Sequence, residues 1–218
     1  MLICGLDEAG RGPILGPMVM AGVAISKDKR DQLKDLGVTD SKLLSPKRRE
    51  ALYDKIIELA DSYCIIEISP NEIDEMNKSG TNLNQLEALK IAEILMKLKP
   101  DKVYVDSPEP TAAKFGTMIL SHMNGFSPEI IAEHGADLKY PTSSAASILA
   151  KVTRDRAVRK IEKEIGYLIG SGYPADPNTK KFLQEQYSDD KHINYVRTCW
   201  STYKKLKKEK KQSSLGDW

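Results

Sequence analysis

The sequence predicts an α/β fold, a mixed sheet flanked by helices with a helical extension towards the C-terminus, and three observations carry that expectation. Short apolar runs alternate with stretches whose apolar residues recur at helical spacing. Glycine and proline punctuate the boundaries between them. No internal repeat or low-complexity linker appears before a lysine-rich tail. The chain's 218 residues are enough for one sizeable core, and 40% hydrophobic with 29% charged residues excludes both a disordered chain and a minimal peptide fold.

Residues 2–6 read as a buried strand, residues 10–17 as a Gly/Pro-rich loop, and residues 18–25 as a second apolar strand. Ser45 suits an N-cap with Pro46 at the first helical position, and Leu52, Ile56 and Leu59 then share one face of a helix ending near Asp61. Residues 63–68 are β-branched and aromatic enough for a strand. Residues 82–99 carry Leu83, Leu86, Ile91, Leu95 and Leu98 at helical spacing before Pro100 stops them. Residues 102–106 and 128–133 are two further short strands, the first ending in Asp106 and the second running out close to Asp137. The longest helix spans 143–165, with Ile148, Val152, Val158, Ile161 and Ile165 on one stripe and Lys151, Arg154, Arg156 and Arg159 largely off it. One domain is expected over residues 1–203, C-terminal helices included, followed by a tail at 204–218.

Several classes of protein are excluded early. The apolar run at 18–25 is far shorter than the roughly 20 residues a membrane helix needs. Asp7, Glu8 and the neighbouring glycines stand where a signal peptide would be basic and then apolar. Cys4, Cys64 and Cys199 are odd in number and widely spaced, which fits reduced thiols in a cytoplasmic protein. A formal charge of +2 leaves the nature of any charged partner to local patterning.

Four carboxylates are expected at or just beyond strand ends: Asp7 and Glu8 after the first, Asp106 after a central one, and Asp137 after a later one. In an open α/β sheet strand ends share an edge, so acids distant in sequence can meet there. Clustered carboxylates repel one another and call for a cation, and an oxygen-only donor set favours Mg²⁺ or Mn²⁺ over zinc. Two such ions can activate water and stabilise the leaving oxygen of a phosphodiester, which implies phosphodiester hydrolysis. Any one of these acids alone would pass for a solvated turn residue. The pair beside Gly10-Arg11-Gly12 is less easily explained so, because a buried acidic pair is costly without a partner.

Gly10, Gly12 and Gly16 after a strand also suggest a dinucleotide-binding loop, with Asp28 or Asp31 downstream. The third glycine falls one position late, Pro17 removes a helical donor, and the acids would repel a pyrophosphate. Open backbone amides and one guanidinium better suit a nucleic-acid backbone or ribose hydroxyl.

The motifs Gly5-Leu6-Asp7-Glu8-Ala9-Gly10-Arg11-Gly12-Pro13, Asp40-Ser41-Lys42, Val105-Asp106, Ala136-Asp137, Ser144-Ala145-Ala146-Ser147-Ile148-Leu149-Ala150-Lys151-Val152-Thr153-Arg154-Asp155 and Gly170-Ser171-Gly172-Tyr173-Pro174 occur in that order. On these residues the chain resembles ribonuclease HII, most closely the archaeal single-chain form. The resemblance implies an RNase H-like fold and endonucleolytic cleavage of the RNA strand of RNA/DNA hybrids, including 5′ of single ribonucleotides in duplex DNA. Products with a 3′-hydroxyl and a 5′-phosphate, and a divalent-metal requirement met by two ions, are implied as well. The family's acidic site falls on Asp7, Glu8, Asp106 and Asp137. Its ribose-sensing elements fall on Gly10, Arg11, Gly12 and Tyr173, whose backbone groups and phenol can read a 2′-hydroxyl. Lys42, Lys151 and Arg154 look placed to hold phosphates; each alone could be a solvated charge. A monomer is expected.

Residues 204–211 hold six lysines and one glutamate, suited either to solvating a helix end or to attracting a duplex. Gln212, Leu215 and Trp218 then follow the glutamine, aliphatic and aromatic pattern of sliding-clamp-binding peptides, with one aromatic where two usually stand together.

Overall fold

The computed structural model describes residues 1–38, 43–186 and 191–215, with side chains described as far as Lys208. In chain order the elements are β1 (Leu2–Ala9), β2 (Met18–Ser26), α1 (Arg30–Asp35), α2 (Pro46–Leu59), β3 (Ser62–Ile68), α3 (Pro70–Lys78) and α4 (Leu83–Leu98). There follow β4 (Lys102–Asp106), α5 (Ala112–Ser121), β5 (Glu129–Glu133), α6 (Ala136–Lys139), α7 (Pro141–Ile165), α8 (Pro177–Glu185) and α9 (Ser201–Leu215). Among the described residues no helix is long and apolar enough to cross a membrane. Two compact units emerge: Met1–Ala9, Val19–Glu67 and Asn82–Arg154 form one, and Gly10–Met18, Ile68–Thr81 and Asp155–Trp218 the other.

The first unit is built on a five-stranded sheet of order β3-β2-β1-β4-β5. The short loop after β1 returns the chain antiparallel as β2, whereas β4 and β5, each reached through helices, run parallel to β1. On β2 the alternation of side chains sends Ala21, Val23 and Ile25 to one face, where they are buried with Leu52 and Ile56 of α2 and with Ile148, Leu149 and Val152 of α7. Each fully buried aliphatic side chain of this kind contributes about 1.5–3 kcal/mol. Gly22 faces the other way, and a Cβ there would stand 2.6 Å from Ile94, so α4 covers the opposite face. The start of α7 lies directly on β1: a Cβ at Gly5 would be 2.1 Å from backbone atoms of Thr142 and Ser143, a spacing only glycine permits.

The second unit gathers the loop after β1, α3, the C-terminal part of α7, α8 and α9. Its core contains Ile14, Leu15, Val158, Ile161, Ile169, Phe182, Leu183, Val196 and Tyr203. Thus one apolar stripe along α7 serves two cores, with Ile148 and Val152 in the first and Val158 and Ile161 in the second.

The mixed, helix-flanked sheet and the helical C-terminal region agree with the sequence. One placement differs: Asp7 and Glu8 lie inside β1, not beyond it, because β2 pairs along its whole length and sets Asp7 opposite Ala21 and Glu8 opposite Met20. The helix expected at 143–165 starts earlier, at Pro141.

Candidate active site

Asp7 belongs to the first unit and shares a pleat face with Gly5, the face that α7 covers. Because α7 starts hard against Gly5, its residues a few turns on come down beside Asp7. Ser147 and Lys151, one helical turn apart, lie on the same side of α7. Lys151 donates to the Ser147 hydroxyl, and its Nζ is 3.9 Å from Asp7 Oδ2. Carried one residue further, the parallel register that pairs Leu6 with Val105 sets Asp7 beside Asp106, on strands about 4.8 Å apart. Asp106 Oδ1 accepts from the backbone N–H of Gly135 (2.6 Å) and of Ala136 (3.3 Å), which ties the start of α6 to the end of β4. The next residue in that turn is Asp137, only 2% exposed, whose carbonyl accepts from the Ser144 hydroxyl.

Asp7, Asp106 and Asp137 are thereby brought to one end of the sheet, while strand alternation turns the half-buried Glu8 to the face opposite Asp7. Burial pushes the Asp7 carboxyl up to about 6, with Lys151 and Ser147 drawing it down and the neighbouring Asp137 charge raising it. Among the described residues no three acidic, His or Cys side chains form a ready-made cage for an ion. The donor set still fits a hard divalent cation. Mg²⁺ commonly takes one or two carboxylates, completing its shell with waters and substrate phosphate oxygens. A cation here would also relieve the desolvated, mutually repelling charge that lifts Asp7.

The glycine loop belongs to the second unit. Gly10 sits at φ +84°, a left-handed conformation that disfavours other residues. Within that unit Tyr173 packs over Gly12, where a Cβ would stand 3.2 Å from Tyr173 Cε1. Gly172 O accepts from the N–H of Ile14 (2.9 Å) and of Leu15 (3.2 Å), joining the Gly-Ser-Gly-Tyr-Pro turn to the loop. Tyr173 itself is 43% exposed. Arg154, by contrast, is buried on α7. Lys42, with the Asp-Ser-Lys element, and Trp218 lie outside the described residues, as do the side chains of Gln212 and Leu215.

Sequence reasoning missed Arg197, which is fully buried and bonds the carbonyls of Gly10, Arg11 and Gly16. It missed Trp200, whose Nε1 donates to Gly12 O at 3.2 Å. Asp74 was missed too. Its buried carboxylate accepts from the Thr198 N–H and hydroxyl and from the Cys199 N–H, at 2.6–2.9 Å. Burial alone would raise that carboxyl, and the bonds from Cys199 and Thr198 outweigh it and hold it below its ordinary value. Each of these three is a lone polar residue with no spacing that marks it, whereas Ser147 lies inside the motif at residues 144–155 and has no role assigned to it there.

The sequence model of the family described as Ribonuclease HII matches residues 4–203. The Ribonuclease HII of Thermococcus sibiricus is 50% identical over 224 residues, covering 99% of this chain and 97% of that protein. The ribonuclease H2 of Pyrococcus horikoshii superposes with a TM-score of 0.89 at 41% identity, covering 97% of this chain and 100% of that one. The RNase HII in the PCNA:RNase HII complex from Archaeoglobus fulgidus gives a TM-score of 0.83 at 38% identity, covering 92% and 95%. With motifs, sheet and acidic strand ends in agreement over almost the whole length, the chain belongs to the ribonuclease HII family and is a type 2 ribonuclease H, an enzyme acting on RNA/DNA hybrids.

Proposed function

We propose that the chain is a divalent-metal-dependent endonuclease that cuts the RNA strand of hybrids, and cuts 5′ of single ribonucleotides embedded in duplex DNA, leaving a 3′-hydroxyl and a 5′-phosphate. The observation that carries the reading is the meeting of Asp7, Asp106 and Asp137 at one end of the sheet, with the Asp7 carboxyl raised by burial to about 6. Asp7, Asp106 and Asp137 would hold Mg²⁺ or Mn²⁺, with Glu8 assigned to the same set from the other face of β1, two ions per site during turnover, and such ions supply water activation and neutralise charge on the departing oxygen.

The protein's own groups do the rest. Asp106 is held by two backbone N–H groups, so its carboxylate is fixed in place before substrate arrives. Lys151 keeps a positive charge beside Asp7 that stabilises its ionised form. The loop of Gly10, Arg11 and Gly12 follows Asp7 and Glu8 directly in the chain, and with the phenol of Tyr173 it senses the ribose 2′-hydroxyl, which can both donate and accept. Lys42, Lys151 and Arg154 are assigned to the phosphates, contacts that position a duplex without reading bases. Attack of water on phosphorus, with the 3′ oxygen of the preceding nucleotide leaving, accounts for the products.

A partner is proposed as well. The relative from Archaeoglobus fulgidus was solved with PCNA, and Gln212, Leu215 and Trp218 match the residue types of a clamp-binding peptide. The further reading is of a monomer acting in ribonucleotide excision and DNA replication in the cytoplasm, a reducing compartment that the free thiols Cys4, Cys64 and Cys199 fit. The test is cleavage of a labelled DNA duplex containing one ribonucleotide, with Mg²⁺, with Mn²⁺ and with chelator, mapped to the nucleotide. A metal-dependent cut immediately 5′ of the ribonucleotide is expected; no cut with either metal, by folded protein that still binds hybrid, overturns the reading.

A further inference from the structure

Among the described residues Arg197 is the largest side chain that is fully buried, and it lies in the second unit with the loop it bonds. Its Nη2 donates to Gly10 O at 2.6 Å and to Gly16 O at 3.0 Å, its Nη1 to Arg11 O at 3.0 Å, and its Nε to Gly16 O at 3.2 Å. These four bonds gather three carbonyls of one loop onto a single planar guanidinium, so the loop's geometry depends on it.

The effect on the loop follows from the peptide unit. In a trans peptide the C=O and the following N–H point in opposite directions. With the carbonyls of Gly10 and Arg11 drawn in to one guanidinium, the N–H groups of Arg11 and Gly12 are turned away from it, side by side. Two adjacent N–H groups aimed alike form a small positive concavity suited to an oxygen ligand. Trp200 completes the arrangement: its indole donates to Gly12 O, and its ring lies 4.9 Å from the guanidinium carbon. Asp74 fastens the backbone just after Arg197 by accepting from the N–H of Thr198 and of Cys199.

We propose that Arg197 is a positioning residue, which aims the N–H groups of Arg11 and Gly12 at the ribose and its adjoining phosphate and so sets the enzyme's preference for ribonucleotides. The inference rests on the function proposed above. It assigns to a buried side chain, remote in sequence from the motifs, the control of how the glycine loop reads sugar.

The test compares the full chain with Arg197→Lys and Trp200→Phe on two duplexes, one all DNA and one containing a single ribonucleotide. Lysine keeps the charge and cannot bond three carbonyls from a planar fork; phenylalanine keeps a ring beside the guanidinium and loses the bond to Gly12. Arg197→Lys is expected to lower kcat on the ribonucleotide duplex by about 100-fold, the usual cost of an ångström-scale misplacement, and to leave affinity for the all-DNA duplex within about twofold. The ribonucleotide-over-DNA preference in binding collapses with kcat, and Trp200→Phe shows a smaller loss of the same kind. Should Arg197→Lys fail to fold, Trp200→Phe alone decides. Wild-type kcat and preference in the folded variants would overturn the inference, as would equal weakening of binding to both duplexes. A wild-type protein that cuts neither duplex sinks the proposed function and the inference with it, whereas selective cutting by wild type and variants alike sinks the inference alone.

Discussion

At the scale of single residues, Asp7 shows how a site is set against its fold. Burial pushes its carboxyl from 3.8 up to about 6, so ionising it costs more in the folded than in the unfolded state. The folded state therefore holds the proton more tightly, and stability falls as pH rises from about 4 to about 6, staying lower above that. In metal-free buffer Asp7→Asn is expected to stabilise the protein by about 3 kcal/mol at neutral or higher pH, the gain vanishing below about pH 4 where both states are protonated. Melting curves across pH check this, and a pH-independent difference would contradict it. The same proton competes with a cation, so at limiting Mg²⁺ cleavage should rise steeply with pH up to about 6 and then level off. Asp137→Asn is expected to abolish cleavage and leave hybrid binding near the wild-type value; cleavage retained by that variant would reject its metal role.

At the scale of elements, the contact of α7 with β1 is what delivers Ser147 and Lys151 to Asp7. Gly5→Ala would drive a methyl group into the backbone of Thr142 and Ser143. It is expected to cost about 3 kcal/mol or more, beyond ordinary overpacking because neither backbone can turn aside. Ser45→Ala, which removes only the cap to the Arg48 N–H of α2, should cost about 1 kcal/mol and leave cleavage unchanged. Thermal melts and activity on the two variants separate these cases. The contrast also explains what could be read from sequence. The Ser45-Pro46 start and the runs behind β4, β5, α4 and α7 were legible because periodicity and caps are local. Ser69-Pro70 and Asp176-Pro177 carry the same cap-and-proline signal for α3 and α8 and went unread. The chain at α5 gave no clear pattern: Gly116 interrupts its apolar residues, and its place against Ile130 and Ala132 of β5 is decided by tertiary packing. Four acids, Asp7, Glu8, Asp106 and Asp137, stood out as polar residues at or near the ends of apolar runs, whereas Arg197 reaches carbonyls more than 180 residues away, and no local pattern announces such a contact.

For the whole molecule, a net charge of +2 conceals an uneven distribution, since six of the lysines fall within residues 204–211. These belong to α9, which runs from Ser201 to Leu215, so a concentrated positive charge is carried on one helix. Bound to a duplex, such a helix releases counterions, and affinity should drop with salt by a slope of about 0.9 per phosphate neutralised. Replacing Lys204, Lys205, Lys207 and Lys208 by Gln is expected to flatten that slope and weaken binding to hybrid and to plain DNA alike, because phosphate contacts carry no sugar or sequence information. Removal of residues 212–218 should act differently. Without Gln212, Leu215 and Trp218 the proposed apolar plug for a clamp groove is gone, while the acids and the glycine loop are untouched. Cleavage of a free duplex should then match wild type, and only binding to the sliding clamp should be lost. Calorimetry with purified clamp, run beside the cleavage assay, reads both quantities. Clamp binding retained by the shortened chain would move the docking peptide elsewhere, and cleavage lost with it would assign the segment to the duplex itself.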